Sequence, residues 1–134
     1  MADGECLRVL LVEDSMLLAS RLAELIEHLP HVQLIDTVDT EDGALEAVAL
    51  LDPEVLILDL HLRSGTGFGV LRTLARRAQP RPKVIVLTNF GLPQFRLEAE
   101  ALGVEAFLDK SREYYRLPAL LSAIARSQLL GQPG

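Results

Sequence analysis

The chain has 134 residues, 49% of them hydrophobic, which is enough for one domain with a real core and excludes general disorder. Its formal net charge of −6 argues against a surface that grips nucleic acid directly. The single cysteine, Cys6, excludes an intramolecular disulfide and makes a reducing, cytoplasmic setting the expectation.

Neither a signal peptide nor membrane insertion is expected, because the first apolar run goes straight into two acids and no run reaches spanning length. That run, Leu7 to Val12, reads as a strand ending at Glu13 and Asp14, with Ser15 as the N-cap of the next helix. Leu18, Leu22, Leu25, Ile26 and Leu29 recur at helical spacing until Pro30. Val32 to Val38 is a second strand. Asp39 to Gly43 reads as turn and cap, and Ala44 to Leu51 as a short helix with Leu45, Val48 and Ala49 inward.

Asp52-Pro53 breaks the chain before Val55 to Leu58, an apolar run of the density found in strands buried on both faces of a parallel sheet. Asp59 ends it. The loop "LHLRSGTG" carries Gly65 and Gly67, which permit a sharp exit. "GTGFG" is not a dinucleotide fingerprint, since its spacing is wrong and it follows the third strand. Phe68 to Ala78 is expected to be helical, with Leu71, Leu74 and Ala75 on one side, and "QPRP" ends it. Lys83 to Leu87 is a fourth strand ending in Thr88. Pro93 opens a helix whose apolar face is expected at Leu97, Ala101 and Leu102, and Gly103 stops it. Val104 to Leu108 is a fifth strand ending in Asp109-Lys110. A last helix has Pro118 near its start and Leu120, Leu121 and Ile124 inward, before a "GQPG" tail. Strand and helix alternate five times, so residues 1–134 are expected to form one α/β domain with a parallel sheet between helical layers. Ligands then bind beyond the C-terminal strand ends.

Those ends bring Glu13, Asp14, Asp59, Thr88 and Lys110 toward one volume. Alone, Asp14 is explained by helix capping, Thr88 by a local hydrogen bond and Lys110 by solvation. Asp59 has little structural use at the end of a buried strand. Clustered carboxylates repel one another unless a cation is present, and Mg²⁺ suits such oxygen ligands together with phosphate. A nearby ammonium and hydroxyl suit phosphoryl oxygens. The chemistry that fits is a carboxylate nucleophile accepting a phosphoryl group.

"VED" at residues 12–14, "LDL" around Asp59, "VLT" ending in Thr88 and "FLDKS" around Lys110 together resemble the receiver domain of bacterial two-component response regulators, from Leu7 to about Leu130. The resemblance implies a flavodoxin-like (βα)5 doubly wound parallel sheet of strand order 2-1-3-4-5. It implies Asp59 as phosphoacceptor, with Thr88 and Lys110 on the phosphoryl oxygens. Mg²⁺ would be held by Asp14, Asp59 and the main-chain carbonyl of His61, with Glu13 acting largely through water. Phe107 would be the aromatic switch, turning inward as phosphorylation pulls Thr88 to the mouth. His61 and Phe90 would flank the attacking water, Phe90 excluding it and His61 lacking an evident orienting partner.

The implied partners are a histidine kinase or histidine phosphotransfer protein, and then a downstream protein target or a missing output domain, since little chain follows Leu130. No enzymatic role is implied beyond the domain's own phosphoryl uptake and hydrolysis. The chain departs from the family pattern at Arg63, usually proline, at Asn89, usually small, and at Ser111, usually a cis proline, which leaves the Lys110–Ser111 isomer open. Two rivals are a receiver that works without phosphorylation and a flavodoxin-like phosphatase. The intact Asp59, Asp14, Thr88 and Lys110 weigh against the first, and the short loops against the second.

Overall fold

A computed structural model describes residues 6–77 and 81–130. The elements are β1 (Leu7–Val12), α1 (Met16–Glu27), β2 (Val32–Val38), α2 (Glu41–Leu51), β3 (Val55–Leu58), α3 (Gly67–Ala75), β4 (Lys83–Thr88), α4 (Pro93–Ala101), β5 (Ala106–Asp109) and α5 (Leu117–Leu130). A short 3-10 turn, Tyr114–Arg116, leads into α5. Every strand pair is parallel, and the order is β2-β1-β3-β4-β5, the flavodoxin-like arrangement expected. Strands β1, β3 and β4 are hydrogen-bonded on both sides, which is why they read as continuous apolar runs rather than alternating ones.

Successive strand residues point to opposite faces, so the sheet divides the core in two. Leu10, Val12, Leu56, Leu58, Val84, Val86 and Phe107 pack under α2, α3 and α4. Leu7, Val9, Leu11, Val55, Ile57, Ile85 and Leu87 pack under α1 and α5. In α1 the expected stripe holds, with Leu22 and Ile26 fully buried.

Other helix faces differ from the expectation. Thr40 caps α2, its Oγ1 accepting the Gly43 N–H at 2.9 Å, so that helix starts at Glu41. It buries Ala44, Ala47 and Val48 and leaves Ala49 exposed. Helix α3 buries Val70 with Leu71 and Leu74, whereas Ala75 is exposed. In α4 the inward residues are Ala99, Phe95 and Leu102, and both Leu97 and Ala101 are exposed. Strand β5 begins at Ala106, and α5 adds Leu117 and Ala125 to the core. No cis peptide bond occurs among the described residues, so Lys110–Ser111 is trans. Ala78, Gln79-Pro80 and the "GQPG" tail lie outside the described residues. No helix among the described residues is long and apolar enough to cross a membrane.

Candidate functional site

The backbone ladder continues just past the strands and sets the mouth of the sheet. The Asp59 N–H donates to the Val12 carbonyl at 3.0 Å, and the Lys110 N–H to the Thr88 carbonyl at 2.8 Å. Each of Glu13, Asp14 and Asp59 offers a carboxylate oxygen, all within 4.8 Å of one another. Lys110 Nζ stands 2.7 Å from Asp59 Oδ2 and 2.9 Å from Glu13 Oε1. The three side chains are 10% (Lys110), 2% (Glu13) and 5% (Asp59) exposed, so these ion pairs are screened little by solvent. Main-chain donors reach the same carboxylates: the His61 N–H donates to Asp59 Oδ1 at 3.3 Å, and the Ser15 N–H to Glu13 Oε2 at 3.0 Å, an oxygen that Lys110 Nζ also reaches at 3.1 Å.

Burial pushes the Glu13 carboxyl up, against the hydrogen bond from Lys110. Burial also acts to lower Lys110, but hydrogen bonds to Asp59 and Glu13 outweigh it and leave the ammonium raised. The two shifts pull on the shared proton in opposite senses. The short contacts to both carboxylates favour a charged Lys110. Three carboxylates then face one ammonium, an all-oxygen donor set with excess negative charge. That is the environment a hard divalent cation fits.

Thr88 is fully buried on the strand beside that of Asp59. Its Oγ1 accepts the Phe90 N–H at 3.2 Å, which leaves the hydroxyl proton free to be donated elsewhere. At the rim, the His61 and Phe90 ring centroids are 5.8 Å apart, with Phe90 47% exposed. His61 does have a partner, unlike the expectation: its Nδ1 lies 3.5 Å from Asp14 Oδ2. The approach of β1 to the loop after β3 brings them together, which no local pattern shows.

Phe107 departs more sharply. It is already turned inward, at 4% exposure. The Arg96 guanidinium lies 4.8 Å over its ring, and Arg96 Nη1 donates to its carbonyl at 3.0 Å. An inward turn is therefore not a step open to this state. Arg96 had no sequence signal beyond its charge. Arg63, in the place of the usual proline, pairs through Nε with Asp39 Oδ2 at 2.8 Å, and its N–H donates to the Asp39 carbonyl at 3.0 Å.

The family model described as "Response regulator receiver domain" matches residues 9–122. The chain belongs to the response regulator receiver family. It is a receiver of two-component signal transduction, and its fold is the fold of that family. The receiver is 29% identical to the signal receiver domain of a Vibrio parahaemolyticus protein, with a TM-score of 0.80 over 96% of this chain and 99% of that one. It is 25% identical to the Mn²⁺-bound form of the response regulator Rcp1, with a TM-score of 0.73 over 95% of this chain and 96% of that one. Among curated relatives, protein-glutamate methylesterase/protein-glutamine glutaminase 2 of Saccharophagus degradans is 33% identical over 110 residues. The match takes in 81% of this chain but only 31% of that protein's length.

Proposed function

We propose that Asp59 accepts a phosphoryl group from a phosphohistidine on a histidine kinase or histidine phosphotransfer protein. The observation that carries this is Lys110, whose nearly buried ammonium bridges Asp59 and Glu13 beside Asp14. A carboxylate oxygen of Asp59 attacks the phosphorus, the P–N bond breaks, and the imidazole leaves. Lys110 follows the negative charge from the carboxylate to a phosphoryl oxygen. Thr88 donates its free hydroxyl proton to a second phosphoryl oxygen. Asp14, Asp59 and the main-chain carbonyl of His61 would hold Mg²⁺, with Glu13 acting through water. When bound, that ion neutralises charge on the phosphoryl oxygens. Phe90 and His61 stand where water reaches the acyl phosphate, and Phe90 limits that access.

The function is switching rather than turnover of an external substrate. Residues 1–134 act as one receiver domain in the cytoplasm. Phosphorylation is read on the side built from α4, β5 and α5 by a protein target or by an output domain in the same polypeptide. The test is phosphotransfer profiling: purified phosphorylated kinases and phosphotransfer proteins are mixed with the receiver and Mg²⁺. Transfer from at least one donor to the parent protein and none to Asp59→Ala supports the reading. Equal transfer to both contradicts it.

A further inference from the structure

The stretch "GTGFG" does not have the spacing of a dinucleotide fingerprint, yet two of its positions leave room for one side chain. Gly65 has φ +75°, and a Cβ there would run into the Glu41 side chain. Gly69 lies within α3, and a Cβ on it would land on the Glu41 carboxylate. In that slot Glu41 Oε1 accepts the Thr66 N–H at 3.0 Å. The turn before α2 is tied to the same loop by further bonds. The Glu41 N–H donates to the Ser64 carbonyl at 2.9 Å, Thr40 and Ser64 are bridged, and Asp39 holds Arg63.

The strap reaches the mouth in two more steps. Thr66 is bridged to His61 in antiparallel fashion, and the Gly67 N–H donates to the Leu60 carbonyl at 2.9 Å. The His61 N–H then donates to Asp59 Oδ1.

We infer that Glu41 is a positioning residue for Asp59. By holding Thr66 it fixes the 60–67 loop, and with it the His61 main chain that contacts the Asp59 carboxylate. The inference rests on Asp59 being the phosphoacceptor. Glu41 itself touches no reacting atom. An acid in the first turn of α2 is favourable for the helix dipole alone, but that role needs no slot between two glycines of another element. Arg63 in place of proline leaves the loop backbone freer, and the strap supplies the constraint.

Gly69→Ala separates positioning from mere stability. Alanine is favoured over glycine inside a helix, which offsets part of any stability lost with the Glu41 contact, and a structural role alone leaves phosphorylation unchanged. The added methyl also expels the Glu41 carboxylate. Labelling of Asp59 by acetyl phosphate at saturating Mg²⁺ is followed by intact mass. The rate is expected to fall about tenfold in Gly69→Ala and in Glu41→Ala, and the double variant is expected to be no slower than either alone. Glu41→Gln retains an acceptor for the Thr66 N–H and is expected to keep most of the rate. In the metal-free, unphosphorylated protein the His61 and Thr66 amide resonances are expected to move in both alanine variants. A parent labelled on Asp59 with both alanine variants at its rate, or with additive losses in the double variant, overturns the positioning role and leaves the phosphoacceptor reading intact. No labelling of the parent overturns both.

Discussion

Replacing Lys110 by alanine tests the charge balance of the mouth. Glu13, Asp14 and Asp59 with Lys110 carry a formal charge of −2, and Lys110→Ala makes it −3. The Glu13 and Asp59 side chains are almost wholly buried, so the orphaned carboxylates cannot turn to water. Breaking a buried ion pair by removing one partner costs about 3 kcal/mol at the low end of measured cases. For a chain of this size that corresponds to roughly 10 °C in Tm. Thermal melts at neutral pH in chelator and in saturating Mg²⁺ measure it. Without metal the variant is expected to melt lower by that amount. With Mg²⁺ most of the loss is expected to disappear, because a divalent cation replaces the missing positive charge and stabilises the folded state by mass action. A loss of the same size with and without Mg²⁺, or none in chelator, would refute the reasoning.

Asp14→Asn is expected to raise Tm in chelator by relieving carboxylate repulsion and to weaken Mg²⁺ stabilisation, and paired melts check both. Phe90→Ala is expected to speed phosphate release from the phosphorylated receiver about tenfold, a barrier change of only ~1.4 kcal/mol, measured at saturating Mg²⁺. The Glu113 carboxyl is held below its ordinary 4.5, first by the Asp109 N–H and then by Arg116 and Arg96. Its contribution to stability is therefore present above that value and lost as pH falls through the lower folded one. Melting curves taken down from about pH 6 to pH 3 are expected to fall less steeply for Glu113→Gln than for the parent.

The sheet was legible because β1, β3 and β4 are buried on both faces, and a doubly buried strand writes itself as an unbroken apolar run. The charged residues that end those runs were legible for the same reason, since Asp59 follows four buried residues. The faces of α2 and α4 were not. Hydrophobicity alone chooses Leu97, but α4 is oriented by Phe95, which packs edge-on against Phe68, and this carries Ala99 inward. What the sequence hid most fully is contact between loops. His61 meets Asp14, and Glu41 meets Thr66, only because β1, β2 and β3 deliver their loops to the same rim. The close approach had one trace, the glycines at 65 and 69, whose reason lies in the side chain they admit. The cover that Arg96 gives the Phe107 ring had none, because Arg96 reaches it from a different element.

The central claim is tested most directly by intact-mass measurement of the receiver after exposure to a small phosphodonor with Mg²⁺. A single added phosphoryl group in the parent and none in Asp59→Ala is the expected result. A phosphoryl group that persists in Asp59→Ala would contradict the assignment of Asp59 as the acceptor.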